Sequence, residues 1–375
     1  MFALLLLLQA PGPVSVLAES TLVLSGGTYL DVRAGSLRPN GAILVRAGKI
    51  VALKAPSSGW RPPADARVLE LDGRTILPGL VDGHVHLTLA GEPAKNAAAT
   101  LRAGFTTVID LGSVGGAGAR LRDAIVAGRV IGPRVIPAGS WIGTKGGVCE
   151  FGGATVGSEE EARTRARADL QAGAELLKVC LTGWAAEAIA FPDSVELNAG
   201  LLAAVLKVGG AARRPVYAHA IGRAGALLAA AGGARALAHT PIVDSASAVH
   251  LKDAGIYVIS TLATLTAGKA GDEVRRSFRL LRAAGVPLVL GTDAGVLAHG
   301  TNAKELVALT EAGLSPLEAL RAATINAAAL LDSINVGEIA PGAAADFMVV
   351  TGDPLRDIRV LQQPAFVVKA GRLVN

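Results

Sequence analysis

The strongest constraint on this 375-residue chain is an alternation of short apolar runs with Ala-rich amphipathic segments across residues 78–335. Short apolar runs favour buried strands, and the segments between them repeat with the period of a helix. Eight strands separated by helices are what a parallel (β/α)8 barrel (TIM barrel) requires, and such barrels take about 250 residues. The predicted strands are Gly79–Val85, Thr106–Leu111, Arg134–Ala138, Leu176–Leu181, Val216–His219, Ala236–His239, Tyr257–Ser260 and Leu288–Gly291.

Both ends of the chain contain a different pattern, in which short strand-like runs are separated by turn residues such as Gly26-Gly27 and Asn40-Gly41. We therefore expect a small β-sandwich domain built from residues 19–77 and 336–375, beside a barrel of residues 78–335. Its predicted strands are Thr21–Leu24, Tyr29–Val32, Ala42–Arg46, Lys49–Leu53, Arg67–Leu71, Asp346–Val350 and Ala365–Lys369.

Residues 1–18 are typical of a cleaved leader. The apolar run Phe2–Leu8 is too short to span a bilayer, and Val16-Leu17-Ala18 resembles a cleavage site with small residues. Against this, the leader begins without Lys or Arg, so a misassigned start or a disordered tail is the alternative. We expect a signal peptide and an exported, periplasmic or secreted, protein; without cleavage the protein would be cytoplasmic. No later segment is long and apolar enough to predict a stable membrane span.

The net charge of +5 does not indicate a nucleic-acid partner, because Lys and Arg are scattered rather than clustered with aromatic residues. We expect a small-molecule substrate, and a homo-oligomer is possible. The two cysteines, Cys149 and Cys180, do not form a disulfide framework. Cys180 lies in an apolar run and is expected in the core, and whether it pairs with Cys149 stays open, with pairing the less favoured outcome.

Residue types that bind metals follow or interrupt the predicted barrel strands, and catalytic groups of such barrels lie at the carboxyl ends of strands. The i, i+2 spacing of His84 and His86 directs both imidazoles to one face of a strand. A single His at a strand end is usually a core residue, but a repeated pattern predicts a metal site. The candidates are His84, His86, Lys178, His219, His239 and Asp293.

Lys178 lies among apolar neighbours in the fourth predicted strand. A buried ammonium is costly, so this Lys needs a partner, a lowered pKa or a modification. The alternative is a side chain that reaches the surface.

The chain resembles the amidohydrolase superfamily, and within it the imidazolonepropionase-like and prolidase-like members. The similarity lies in segments spread in order along most of the chain: ILPGLVDGHVHL, AGFTTVIDLG, LRDAIVAGRVIGPRV, AELLKVCLTG, YAHAIGRAG, LAHT, GVPLVLGTDAG, LSPLEALRAATINAA and GEIAPGAAADFMVVTGDPL. The resemblance implies a binuclear centre of two divalent metal ions, which we expect to be zinc. His84, His86 and Asp293 would bind the first metal, and His219 and His239 the second. Lys178 would be carboxylated and bridge both.

The resemblance also implies a mechanism. Two cations lower the pKa of a bridging water to about 7, which makes hydroxide available at neutral pH, and they polarise the substrate carbonyl. Asp293 would be the catalytic residue that takes the water proton and passes it to the leaving group.

The leading function is therefore hydrolysis of an amide or peptide bond, for example in a dipeptide or an N-acyl amino acid. The first alternative is a lactonase or phosphotriesterase with the same centre. The second is a mononuclear deaminase or imidazolone hydrolase, which the presence of Lys178 disfavours. The third is a non-catalytic scaffold. Arg223 and His299 follow the fifth and eighth strands and are predicted to contact substrate, although each could be an ordinary surface residue.

Overall fold

The computed structural model describes residues 21–266, 270–332 and 335–374, so the predicted leader lies outside the described residues. Its centre is an eight-stranded parallel sheet in which each strand pairs with its neighbours in chain order. We number these barrel strands one to eight. They are Leu80–Val85, Phe105–Asp110, Arg134–Ile142, Leu176–Cys180, Val216–His219, Ala236–Ala238, Tyr257–Ile259 and Leu288–Val289.

Backbone hydrogen bonds link the first and last strands of this sheet. Gly83 N donates to Leu290 O over 2.9 Å, and His86 N donates to Ala294 O over 2.6 Å. These bonds join the two edges, and the predicted TIM-barrel fold is confirmed. Barrel strand three continues to Ile142, four residues beyond its predicted end at Ala138, through an irregularity in its pairing with strand four.

Helices surround the barrel, and their apolar faces pack on its outer surface in one large core cluster. Local sequence fixes where several begin. Ser315, for example, caps its helix in a capping box with Glu318, and Pro316 occupies the first turn. The α-helices are α1 Pro93–Arg102, α2 Ala117–Val126, α3 Glu159–Gln171, α4 Ala185–Ala190, α5 Ala199–Ala211, α6 Arg223–Gly232, α7 Ser245–Asp253, α8 Leu262–Leu265, α9 Gly271–Ala284, α10 Lys304–Glu311, α11 Pro316–Ala322 and α12 Ile325–Ala329.

A second core cluster fills the barrel interior. Val81, Ile109, Leu176, Tyr217 and Val289 come from different barrel strands and are buried there together. Tyr217 is therefore a barrel core residue. With the barrel interior packed by apolar side chains, catalytic groups are expected at the carboxyl ends of the strands.

Two further sheets are built from the chain ends. A four-stranded sheet has the order Lys49–Lys54, Ala42–Arg46, Leu22–Ser25 and Arg67–Glu70. A six-stranded sheet has the order Arg372–Val374, Phe366–Lys369, Phe347–Val350, Thr75–Pro78, Thr28–Asp31 and Ser36–Pro39. Side chains from both sheets, such as Leu24, Ile43, Ile76 and Phe347, form one buried cluster between them. The N-terminal and C-terminal strands are thus joined in one two-sheet unit, as the sequence predicts.

Cys149 and Cys180 form a disulfide, which is the outcome that the sequence left open and favoured less. Cys180 is fully buried, as expected, but the loop after strand three folds back over the end of strand four and places Cys149 beside it. Of the helices described, none has the length and apolar character needed to cross a membrane.

Candidate metal centre and active site

The predicted metal-binding side chains meet at the carboxyl ends of the barrel strands. His84 lies in strand one, Lys178 in strand four and His219 at the end of strand five. His86, His239 and Asp293 follow the ends of strands one, six and eight. All six residues are buried, with relative exposures of 1–6%.

Three of these side chains converge on one point. His84 Nε2 and His86 Nε2 lie 3.1 Å apart. Asp293 Oδ1 lies 3.4 Å from the first nitrogen and 3.2 Å from the second. Ligand atoms of His84, His239 and Asp293 also lie within 4.8 Å of one another, so a fourth residue can reach the same ion.

The remaining imidazoles extend the cluster. The ring of His239 lies between those of His84 and His219, with centroid distances of 4.7 Å and 4.6 Å. His239 Nδ1 is 2.8 Å from the hydroxyl of Thr261, which orients the ring and leaves Nε2 for the cluster.

The backbone at two of these residues adopts a conformation that side chains disfavour. His239 and Asp293 have φ values of 79° and 57°, in the left-handed region. Such strain concentrates at functional sites, where the surroundings hold it in place. A glycine, Gly291, also permits the close packing, because a Cβ built there would lie 2.8 Å from His84 Cβ.

The electrostatics of the cluster favour neutral imidazoles. Burial, with the positive charge of Lys178 nearby, lowers the pKa of His84 well below its usual value and that of His219 to about 3. Burial and the neighbouring His219 lower the pKa of His239 as well. A neutral imidazole has the free lone pair that a metal ligand needs.

Lys178 is the least satisfied member of the cluster. Its Nζ is buried and has no hydrogen-bond partner among the described residues. Burial lowers its pKa to about 7, an effect that Asp293 partly opposes. With a pKa near 7, about half of the amine is uncharged at neutral pH. The uncharged form can react with carbon dioxide, and the resulting carbamate would be an anion facing the imidazoles. Buried imidazoles, one carboxylate and an unpartnered amine therefore fit a metal centre.

The two predicted substrate contacts are engaged with other parts of the chain. Arg223, the first residue of α6, is 2.8 Å from both carboxylate oxygens of Asp193 and 3.2 Å from Asp244. His299 Nδ1 is 3.0 Å from the hydroxyl of Thr100, and its Nε2 is 3.3 Å from His86 O. Substrate binding by Arg223 and His299 stays a prediction.

Sequence reasoning missed two tryptophans that flank the imidazoles. The ring of Trp184 is stacked on that of His219, with a centroid distance of 5.8 Å and an angle of 20°. It also lies 5.2 Å from the ring of His239. The ring of Trp141 is 5.4 Å from that of His86. Trp141 lies near the end of strand three, and Trp184 follows strand four. This position is their only signal in the sequence, together with the small number of tryptophans in the chain, which is three.

Asp82 is a further residue of the site that was not predicted from the sequence. This buried carboxylate precedes His84 by two residues and therefore shares its strand face. It accepts hydrogen bonds from His84 N, from the backbone and hydroxyl of Thr292 and from Asn302. The i, i+2, i+4 pattern of Asp82, His84 and His86 is a signal that could have identified it.

A parallel barrel with a buried cluster of imidazoles and a carboxylate at its strand ends is typical of a barrel hydrolase. The chain belongs to the amidohydrolase family, whose model matches residues 75–374, and it is a hydrolase of that family.

Proteins with established names are similar over most of the chain. An ochratoxinase of Aspergillus niger is 28% identical, covering 97% of this chain and 91% of that protein. An imidazolonepropionase of Salinispora arenicola is 31% identical, covering 84% and 86% respectively. The crystal structure of a Xaa-Pro dipeptidase with bound methionine in the active site has a TM-score of 0.86 and 27% identity, covering 94% of this chain and 99% of that chain.

Proposed function

We propose that this protein hydrolyses the C–N bond of a compact amide, such as a dipeptide or an N-acyl amino acid, at a centre of two divalent metal ions. The observation that carries the proposal is the convergence of His84, His86 and Asp293 at 3.1–3.4 Å. With these residues, Lys178, His219 and His239 would hold the metals.

The ligand set supports two metals, which we propose to be zinc. Neutral imidazoles and one carboxylate carry too little negative charge to balance two divalent ions, and a carbamate on Lys178 would add another anion. Carbamate formation joins the Lys178 nitrogen to the carbon of carbon dioxide and releases one proton, and burial favours loss of the positive charge. Bound divalent ions would activate water and polarise the substrate carbonyl.

Asp293 would transfer the proton in this reaction. Its Oδ1 lies beside His84 and His86, at the strand end that faces the barrel mouth. This carboxylate would accept a proton from the attacking water and transfer it to the leaving nitrogen as the C–N bond breaks. The products are a carboxylic acid and an amine.

The similar proteins support an amide substrate, since one is named a Xaa-Pro dipeptidase and another an ochratoxinase. The second candidate is a lactone or phosphotriester, because the same activated water could attack either. Because one similar protein is an imidazolonepropionase, a mononuclear reaction is a further candidate. The unpartnered Nζ of Lys178 favours the binuclear centre instead.

A hydrolysis screen tests the proposal. Metal-reconstituted protein would be assayed on N-acyl amino acids, dipeptides, lactones and a phosphotriester, with Asp293→Asn prepared in parallel to reveal contaminating activity. We expect an amide to be the best substrate and Asp293→Asn to lose its turnover. A preference for lactones or phosphotriesters over every amide would establish the second candidate instead.

We also propose that the protein is exported, with cleavage near Ala18. The disulfide between Cys149 and Cys180 supports this, because disulfides persist mainly in oxidising compartments. Mass measurement of the N-terminus of native protein tests it. An intact residue 1–18 segment in the cytoplasmic fraction would contradict export.

A further inference from the structure

Several exposed apolar side chains lie in the segments that follow barrel strands, on the side of the barrel where the imidazoles lie. Eleven large apolar side chains are exposed in the part of the chain that the structure describes, and six of them lie in segments that follow barrel strands. Because burial of such surface is favourable, an exposed cluster around a site indicates binding of an apolar ligand. The six are Leu89, Val114, Phe151, Trp184, Phe191 and Val296.

Trp184 is the member in direct contact with the candidate metal ligands. Its ring packs against the rings of His219 and His239, yet 38% of the residue is exposed. One side of the indole therefore contacts the imidazoles, and part of its remaining surface is exposed. A substrate amide bound at the imidazoles would place one of its substituents against this surface.

Folding alone does not account for a tryptophan at this position. Trp184 is the N-cap residue of α4, and its side chain makes no capping hydrogen bond with the described residues. N-cap positions favour Ser, Thr, Asn and Asp, whose side chains satisfy free backbone N–H groups. A tryptophan here gives up that capping and leaves apolar surface exposed, which favours a role in binding.

One charged group in the segments that follow the barrel strands, Arg223, is neutralised within the chain. Arg223 is held by Asp193 and Asp244, which removes most of its capacity to attract an anionic substituent. On the opposite side of the cluster, the ring of Trp141 contacts that of Phe151 at 5.2 Å, and Phe151 is 63% exposed. The imidazole cluster thus lies between two aromatic surfaces.

We propose that Trp184 determines specificity by stacking on an aromatic or large apolar substituent next to the scissile amide. The substrates would then be amides such as N-acyl derivatives of aromatic amino acids, or aroyl derivatives of small ones. This inference rests on the proposed amide hydrolysis and narrows its substrate class.

A matched substrate series tests the role of Trp184. The metal-reconstituted enzyme would be assayed on N-acetylalanine, N-acetylphenylalanine and N-benzoylalanine, which place a benzene ring on neither side, the amine side or the acyl side. We expect kcat/KM to be about tenfold higher for one of the aromatic amides, since stacking adds up to about this factor to the apolar burial of the ring. Trp184→Ala should reduce that ratio about tenfold, and Trp184→Phe should retain most of it.

The control variant is Val126→Ala. Val126 is 82% exposed at the end of α2, which leads into the N-terminal end of strand three. Its replacement should therefore leave the kcat/KM ratio unchanged. An unaltered ratio in Trp184→Ala, or equal rates on all three amides in the wild type, would overturn the inference while the proposed hydrolysis stands.

A binding measurement separates the two proposals if no amide is turned over. Calorimetry with the corresponding products, phenylalanine against alanine and benzoate against acetate, needs no catalysis. We expect the aromatic member of one pair to bind at least about tenfold more tightly, and Trp184→Ala to remove the difference. Equal affinities would refute the role of Trp184, whereas inert amides would refute the proposed function.

Discussion

The hydroxyl of Thr292 donates a hydrogen bond to the buried carboxylate of Asp82 over 2.7 Å, although the two residues are 210 positions apart in the chain. The contact joins barrel strand one, which carries His84, to the segment that carries Asp293. Asn302 Nδ2 donates to the same oxygen of Asp82 over 2.9 Å. Asp82 therefore fixes the position of the proposed catalytic carboxylate relative to the histidine pair.

Replacing Asp82 by Ala should impair both stability and turnover. The change leaves the buried donors of Thr292 and Asn302 without an acceptor, which costs about 2–4 kcal/mol of unfolding free energy. Asp293 would lose its support, so kcat should fall more than KM changes. Chemical denaturation and steady-state kinetics measure the two effects.

The matched control is Asp169→Ala. Asp169 is also a buried carboxylate and accepts two hydrogen bonds from Ser140, but it makes no contact with Asp293. It should lose comparable stability and keep kcat. If both variants lost kcat to the same extent, the effect of Asp82 would be one of general stability.

Asp293→Asn should fold but lose turnover by about 10²–10⁴-fold. The amide has nearly the same shape, yet it cannot take up the proton and lacks the negative charge of the ligand. Circular dichroism would check the fold, and kcat would be measured with the best amide of the screen. Wild-type rates in a folded Asp293→Asn protein would show that another group moves the proton.

Lys178→Ala should reduce the metal content from about two ions per chain to about one. The physical reason is the loss of the bridging anion, and the exposed Lys207→Ala is the control. Elemental analysis of protein grown with zinc and bicarbonate gives the stoichiometry, and a carbamate carbon signal after labelling with ¹³C-bicarbonate tests the modification directly. A stoichiometry near one in the wild type, unchanged in Lys178→Ala, would contradict a binuclear centre.

The sequence was sufficient to predict the barrel and the cluster because both follow from local patterns. Apolar periodicity defines strands, and a polar residue at the end of a buried strand must lie at the barrel mouth. His84, His219 and Asp293 were found in this way. Their proximity follows from the closure of the barrel, which brings the ends of all eight strands together.

Features that depend on contacts distant in sequence were not predictable. The pairing of Cys149 with Cys180 depends on the path of the loop after strand three. That strand was predicted to end at Ala138, but Asp169 of α3 accepts hydrogen bonds from Ser140 and the strand continues to Ile142. The exposure of Trp184 depends on the packing of α4, which residue type does not reveal.

The last prediction concerns the pH dependence of stability and rests on Glu305 of α10. Its buried carboxylate accepts hydrogen bonds from Ser260 Oγ and from the backbone N–H groups of Leu262 and Ala263, at 2.5–2.8 Å. Burial raises its pKa to about 8, although these bonds oppose the shift. The folded state therefore binds this proton more tightly than the unfolded chain, whose Glu has a pKa of about 4.3. The stabilisation is complete below about pH 4 and is lost as the pH rises towards 8.

Glu305→Gln, which cannot ionise, should have a flatter profile of unfolding free energy between pH 5 and 8, as measured by urea denaturation at constant ionic strength. Asp82 and Asp110, whose pKa values burial raises to about 6 and 7, contribute to the slope in both proteins, so the difference between the two profiles isolates Glu305. Parallel profiles would show that the Glu305 carboxylate is ionised throughout this range and that its three hydrogen bonds outweigh its burial.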